Sequence, residues 1–264
     1  MEFRGFTGVF YKFLEWVSRL SGTNLMWFVF SLPVFYLVFV VAFTAELTRE
    51  MINQFLIMTA VFSPFTLFPA TTAMYAVARQ WVMGRLKIRL SQMFWQEFKA
   101  NYKQSMVGGL VYAAVMLIIM ANLLYYSDKT GTIELLAIVF LVLLLFALGS
   151  LLYFFPLVTH VQMNTGQILK HTILMMFTLP LRTLMLLAAN FVIVYFCYRY
   201  LLLMPFFMGS VSAVFTFYVF RHSLSKFEVK IGTFPASSIK PFLPPEDDEE
   251  NQPNKGDLHK KPLK

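Results

Sequence analysis

The chain has 264 residues, 58% of them hydrophobic and only 14% charged, with a formal net charge of +8, one cysteine and a mean hydropathy of +0.63. Globular proteins carry about 25% charged residues, and polar surface this scarce cannot cover a water-soluble domain. Composition therefore excludes a soluble enzyme, a disulfide-stapled secreted scaffold and a disordered chain, and leaves a polytopic membrane protein.

Residues 1–23 come first in chain order. Phe3, Phe6, Phe10, Phe13, Leu14, Val17 and Leu20 recur at helical spacing between Arg4, Lys12 and Glu15. This pattern predicts an amphipathic helix lying in the membrane interface, with Trp16 at headgroup depth. Residues 24–225 read as the transmembrane domain. A hydrocarbon core of about 30 Å takes about 20 apolar residues in a helix. The runs 24–44, 52–78, 105–126, 133–156, 184–198 and 201–220 qualify or nearly so, the last two as a tight hairpin. They do not alternate every second residue, and backbone in lipid has to satisfy its own hydrogen bonds, so all are predicted helical. The expected fold class is all-α: about six transmembrane helices plus interfacial amphipathic helices.

Within the second run, Pro69 stands beside Thr71, Thr72 and Tyr75 among small residues. Proline frees a backbone carbonyl and neighbouring threonines satisfy it, which predicts a helix kink here or the lining of a polar cavity. The basic loop 79–104 follows. Leu86, Leu90, Met93, Phe94, Phe98 and Tyr102 fit a helical apolar stripe; Gly84 is placed to end the preceding helix, and Ser91 to cap a second interfacial helix over 92–102. Arg85, Lys87, Arg89, Phe94, Phe98, Lys99 and Asn101 form the expected docking face for a partner.

Of the 22 basic residues, all but Arg49, Lys129 and Arg199 fall on one side of these six spans. By the positive-inside rule that side is cytoplasmic, which makes the chain a multi-pass plasma-membrane protein with both termini inside. The positive charge then reads as attraction to anionic headgroups, not as a nucleic-acid footprint. The late, long first apolar run does not read as a secretory signal peptide. The tail, 226–264, is punctuated by prolines, carries the acidic run Glu246 to Glu250, and is expected to be a disordered cytoplasmic extension.

Residues that carry chemistry are scarce. The four histidines (His160, His171, His222 and His259) lack metal-ligand spacing, Cys197 has no partner, and no glycine-rich phosphate loop occurs. No ionisable group falls near the middle of a predicted span, which argues against ion-coupled transport. Catalytic, cofactor and metal sites are all expected to be absent.

A family pattern emerges from several segments together. Pro69-Ala-Thr-Thr-Ala-Met-Tyr75, the charged turn ending in Gly84-Arg85, and Phe94-Trp-Gln-Glu-Phe-Lys-Ala-Asn-Tyr-Lys-Gln-Ser105 resemble the YesL family. Trp27, Ser31-Leu32-Pro33 and Tyr153-Phe-Phe-Pro156 extend the resemblance over roughly residues 5–225. That family consists of small integral membrane proteins, mainly of Gram-positive bacteria, whose genes often lie beside oligosaccharide importers and carbohydrate-degrading enzymes. The resemblance implies a non-enzymatic accessory protein of carbohydrate uptake. Its expected partners are the permease or solute-binding subunits of an ABC importer. The competing reading is a stand-alone small-solute transport module or permease-like subunit, with a polar path past Thr71, Thr72, Asn190 and Ser210; Gly166, Leu179 and Pro180, loosely like an ABC-permease coupling loop, keep it open.

Overall fold

Prolines and glycines decide where these apolar helices stop, and they do so at different places from those the apolar runs suggest. The computed structural model of the chain describes residues 6–85, 89–127, 129–231 and 239–241. Among them are nine α-helices and no strand: α1 (Phe6–Phe30), α2 (Leu32–Phe43), α3 (Arg49–Phe62), α4 (Leu67–Val82), α5 (Leu90–Ser127), α6 (Leu135–His160), α7 (Thr165–Thr178), α8 (Pro180–Arg199) and α9 (Met204–Ile231). Helices α5, α6, α8 and α9 are each long and apolar enough to cross a membrane, and the bent pairs α1–α2 and α3–α4 raise the number of spans to as many as six. The protein is an all-α polytopic membrane protein.

The first expected span is not one straight helix. α1 runs unbroken from Phe6 through residues 23 and 24, and the chain then bends by 84° at Ser31. Pro33 explains the bend: it lacks an N–H, and its ring crowds the carbonyl of Val29 four residues back. The continuity of α1 rests on Asn24, which is fully buried. Its Oδ1 accepts from the amides of Gly209 and Ser210, both at 2.8 Å, and its amide donates to the Met204 carbonyl, tying α1 to the start of α9. Trp16 packs edge-on against Trp81 at 5.8 Å, which holds the first half of α1 against the end of α4.

The second run also breaks, by 56°, between α3 and α4. The break includes Pro64, and Pro69 is the third residue of α4. In that first turn a missing N–H costs nothing, because the amides there have no partner within the helix. The kink expected at Pro69 is therefore a helix start.

α4 is the axis of the molecule. Every residue from Phe68 to Trp81 is buried against α1, α5, α6 and α9. Its C-terminus is capped as the sequence predicts: Gly84 adopts φ +88°, its N–H bonds the Trp81 carbonyl, and the Arg85 N–H reaches back to Gln80. This double closure needs a residue in the left-handed region, where glycine has no steric penalty.

The largest departure from the sequence reading is α5. The interfacial helix expected over 92–102 and the span expected from residue 105 are one helix of 38 residues. Its buried face holds Glu97, Asn101, Ser105, Gly108 and Tyr112, a stripe that continues without a break across the expected boundary. Gly108 and Gly109 bring it against its neighbours: a β-carbon on Gly108 would lie 2.1 Å from Phe154 Cζ, and one on Gly109 3.0 Å from the Pro64 backbone. α7 is too short to cross a bilayer. It starts at an Asn164–Gln167 capping box and packs along α6, where Thr172 joins Ser150 and Tyr112 in a hydroxyl cluster.

Candidate functional site

Three helices and one short piece of the tail converge on a buried polar cluster. The last turns of α4 deliver Arg79, which is 2% exposed. Glu97, Asn101 and Gln104 recur at i, i+4 and i+7 along α5 and so project from one face. α6 contributes its C-terminal end, with the Val158 carbonyl and His160. The fourth wall is residues 239–241, which lie against α6 through an isolated antiparallel bridge between Ile239 and Val161.

Lys240 holds the cluster together. Its Nζ donates to the Val158 carbonyl at 2.6 Å, to Asn101 Oδ1 at 2.7 Å and to Gln104 Oε1 at 3.2 Å. Its backbone N–H donates to the His160 carbonyl at 2.8 Å, and its own carbonyl accepts from the Arg79 guanidinium. The carbonyls of a last helical turn have no partner within the helix and carry the negative end of its dipole, so a lysine here caps α6 with both its side chain and its backbone. Glu97, 5% exposed, accepts from Asn101 Nδ2 at 2.7 Å and interacts electrostatically with Arg79 and Lys240. His160 lies edge-on to Phe217 and Phe220, and its Nδ1 is buried without a hydrogen-bond partner.

The sequence reading put Arg79 in a basic loop and Lys240 in a disordered tail; the structure buries Arg79 in the last turns of α4 and docks Lys240 against α5 and α6. The available signal was the helical register: Phe68, Thr72, Tyr75 and Arg79 fall on one face of α4, as Glu97, Asn101 and Ser105 do on α5. Nothing in the local sequence marks Lys240.

Burial lowers the Lys240 ammonium from its ordinary 10.5 to about 8; nearby Glu97 opposes that fall and Arg79 adds to it. Between about 8 and 10.5, the undocked chain binds a proton that the docked one has lost, so docking strengthens as pH rises through that window. A fluorinated label on an Ile239→Cys, Cys197→Ala variant should report this by NMR as a rising docked fraction. A flat or falling fraction from pH 8 to 10.5 refutes the assignment.

The residues expected to form a kink or polar cavity (Pro69, Thr71, Thr72 and Tyr75) instead bind helices to one another. Thr71 Oγ1 accepts from Trp27 Nε1 at 2.9 Å and donates to the Leu67 carbonyl at 2.6 Å. Thr72 donates to the Phe68 carbonyl and accepts from Ser105 at 2.7 Å. Tyr75 stacks on Phe155, its hydroxyl lying near those of Thr216 and Ser212. Asn190 holds α8 to α9 through Thr216 and Ser212, and the Ser210 amide belongs to the Asn24 clamp. Thr71, Thr72, Asn190 and Ser210 thus sit in separate helix contacts.

The expected docking face divides in two. Arg85, Arg89 and Lys99 are exposed, and Phe98 is half-buried in an aromatic group with Phe30, Trp95 and Tyr102. Phe94 and Asn101 point inward, Phe94 into the core and Asn101 to Lys240, so neither is available to a partner. Lys87 lies outside the described residues. Trp95, which sequence reasoning did not single out, is 44% exposed, with the Lys99 ammonium 4.7 Å over its ring.

Comparison with known proteins adds the family. Residues 20–123, from the second half of α1 to near the end of α5, match the family model described as "Protein of unknown function, DUF624". That stretch includes Arg79, Glu97, Asn101 and Gln104 but neither His160 nor Lys240. Three proteins of Bacillus subtilis (strain 168), each described as uncharacterized, are similar. YteU is 27% identical over 211 residues, 80% of this chain and 82% of its own length. YesL is 25% identical over 202 residues, 76% and 83% of the two chains. YesV is 32% identical over 142 residues, 53% of this chain and 67% of its own. No solved structure matches the chain. By its likeness to YesV across two thirds of that protein, and by the family model over α1 to α5, the chain belongs to the YesL-like family.

Proposed function

We propose that the chain is a non-enzymatic accessory protein of the plasma membrane. In this reading it docks against a permease or solute-binding subunit of an ABC-type oligosaccharide importer through the N-terminal part of α5. The observation that carries it is the length of α5. At about 1.5 Å per residue its 38 residues extend about 57 Å, nearly twice the hydrocarbon thickness of about 30 Å. With residues from 105 onward in the bilayer, the first part of the helix projects beyond it. That part presents Trp95, Lys99 and Lys103 to the surroundings. Aromatic residues beside a cation are the chemistry of protein contacts and of the membrane interface alike.

The distribution of basic residues supports cytoplasmic termini and a cytoplasmic projection that faces anionic headgroups. The oligosaccharide context comes from the family resemblance. Transport by the chain alone has less support, because the hydroxyls and amides that would line a path are engaged in helix contacts. Affinity purification of the full-length chain in mild detergent, from cells grown on pectin-type glycans, should recover importer subunits. A Lys99→Glu, Lys103→Glu double variant should lower that recovery about tenfold, a change of about 1.4 kcal/mol. Equal recovery from the double variant, or no importer subunit in either preparation, overturns the reading.

A further inference from the structure

The walls of the Lys240 socket are fixed by contacts that do not involve Lys240. Asn101 is 4% exposed, and its Nδ2 is bound to both the carbonyl and the carboxylate of Glu97, which aims Oδ1 at the ammonium. The Gln104 amide donates to the Met163 carbonyl, which turns Oε1 the same way. The Val158 carbonyl belongs to the rigid end of α6. These three converging acceptors match the three N–H bonds of a primary ammonium. A planar guanidinium fork does not fit a threefold arrangement, and a quaternary ammonium has no hydrogen to donate. Arg79, Glu97 and His160 are the titratable groups around the site, and Glu97 supplies its countercharge.

We propose that this socket is a binding site for primary amines, which at neutral pH enter as their ammonium forms, with the chain's own Lys240 as its tethered occupant. Residues 239–241 are then a strap held by ligand-type contacts, which a competing primary amine displaces. Tethering gives the internal lysine an effective concentration in the millimolar range, so displacement takes a larger amount of free amine.

The full-length protein in detergent micelles tests this. Lys240→Ala should lower the thermal unfolding temperature by about 4 °C. It also removes the atoms beyond Cβ that n-propylammonium carries. Adding n-propylammonium chloride at about 100 mM, where no tethered lysine competes with it, should restore at least half the loss. Tetramethylammonium chloride at equal ionic strength should restore none, and neither salt should rescue an Asn101→Leu, Lys240→Ala double variant. The wild-type socket is read independently, without relying on the stability of a variant at Lys240. With the fluorinated label at position 239 and Lys240 intact, n-propylammonium should shift the signal toward the undocked form. The proposal fails if Lys240→Ala unfolds at the wild-type temperature, if the two ammonium salts act equally, or if the label ignores n-propylammonium.

Discussion

A Gly108→Ala variant should lose about 3 kcal/mol of stability, the upper end of what overpacking one methyl costs. The added carbon would stand 2.1 Å from Phe154 Cζ and 2.6 Å from Cε2, so the ring would have to move. It has nowhere to go: Phe154 is fully buried and packed edge-on to Phe68, Tyr112 and Phe155. α5 and α6 would separate instead, and the Tyr112–Ser150 hydrogen bond at 2.6 Å between them would stretch. Thermal unfolding in micelles measures the loss. A second change, Phe154→Leu, should return at least half of it by vacating the space, although Phe154→Leu alone is destabilising. A Gly108→Ala protein as stable as the wild type would mean that α5 and α6 do not approach this closely.

Glu97→Leu should be as costly, at about 3–5 kcal/mol, because removing one partner of a buried charge cluster strands the others. Arg79 and Lys240 would then face each other without the carboxylate between them, and Asn101 Nδ2 would lose one of its two acceptors. Arg79→Leu should also destabilise, since it leaves Glu97 buried and the Lys240 carbonyl without its donor. The double variant should be more stable than the sum of the singles by at least about 1 kcal/mol, the mark of direct coupling. Additivity within about 0.5 kcal/mol would show that the two side chains do not share a site.

How far the fold was legible follows from what each signal depends on. α6, α8 and α9 declare themselves because lipid demands an unbroken apolar length, and the expected 133–156, 184–198 and 201–220 overlap the observed helices with shifted ends. The stop at Gly84 was legible because its backbone geometry is local. α5 was split in the reading because Glu97, Lys99, Asn101 and Lys103 look like a solvated face. Two of them are polar for the sake of partners far along the chain, Arg79 and Lys240, and hydropathy does not register such partners. Pro69 was misplaced for a related reason: a proline marks a kink or a start according to where the helix begins, and Pro64 had already ended α3. Lys240 was out of reach, since a three-residue strap in a proline-rich stretch has no periodicity to read.

Site-specific photocrosslinking tests the accessory role most directly. With a photoreactive residue at position 95 on the exposed strip of α5, in cells growing on pectin-type glycans, irradiation should yield one dominant adduct with an importer permease or solute-binding subunit. The same residue at the outward, lipid-type position Val192 on α8 should yield no such adduct. Adducts with lipid alone from position 95, or identical protein adducts from both positions, would contradict the account.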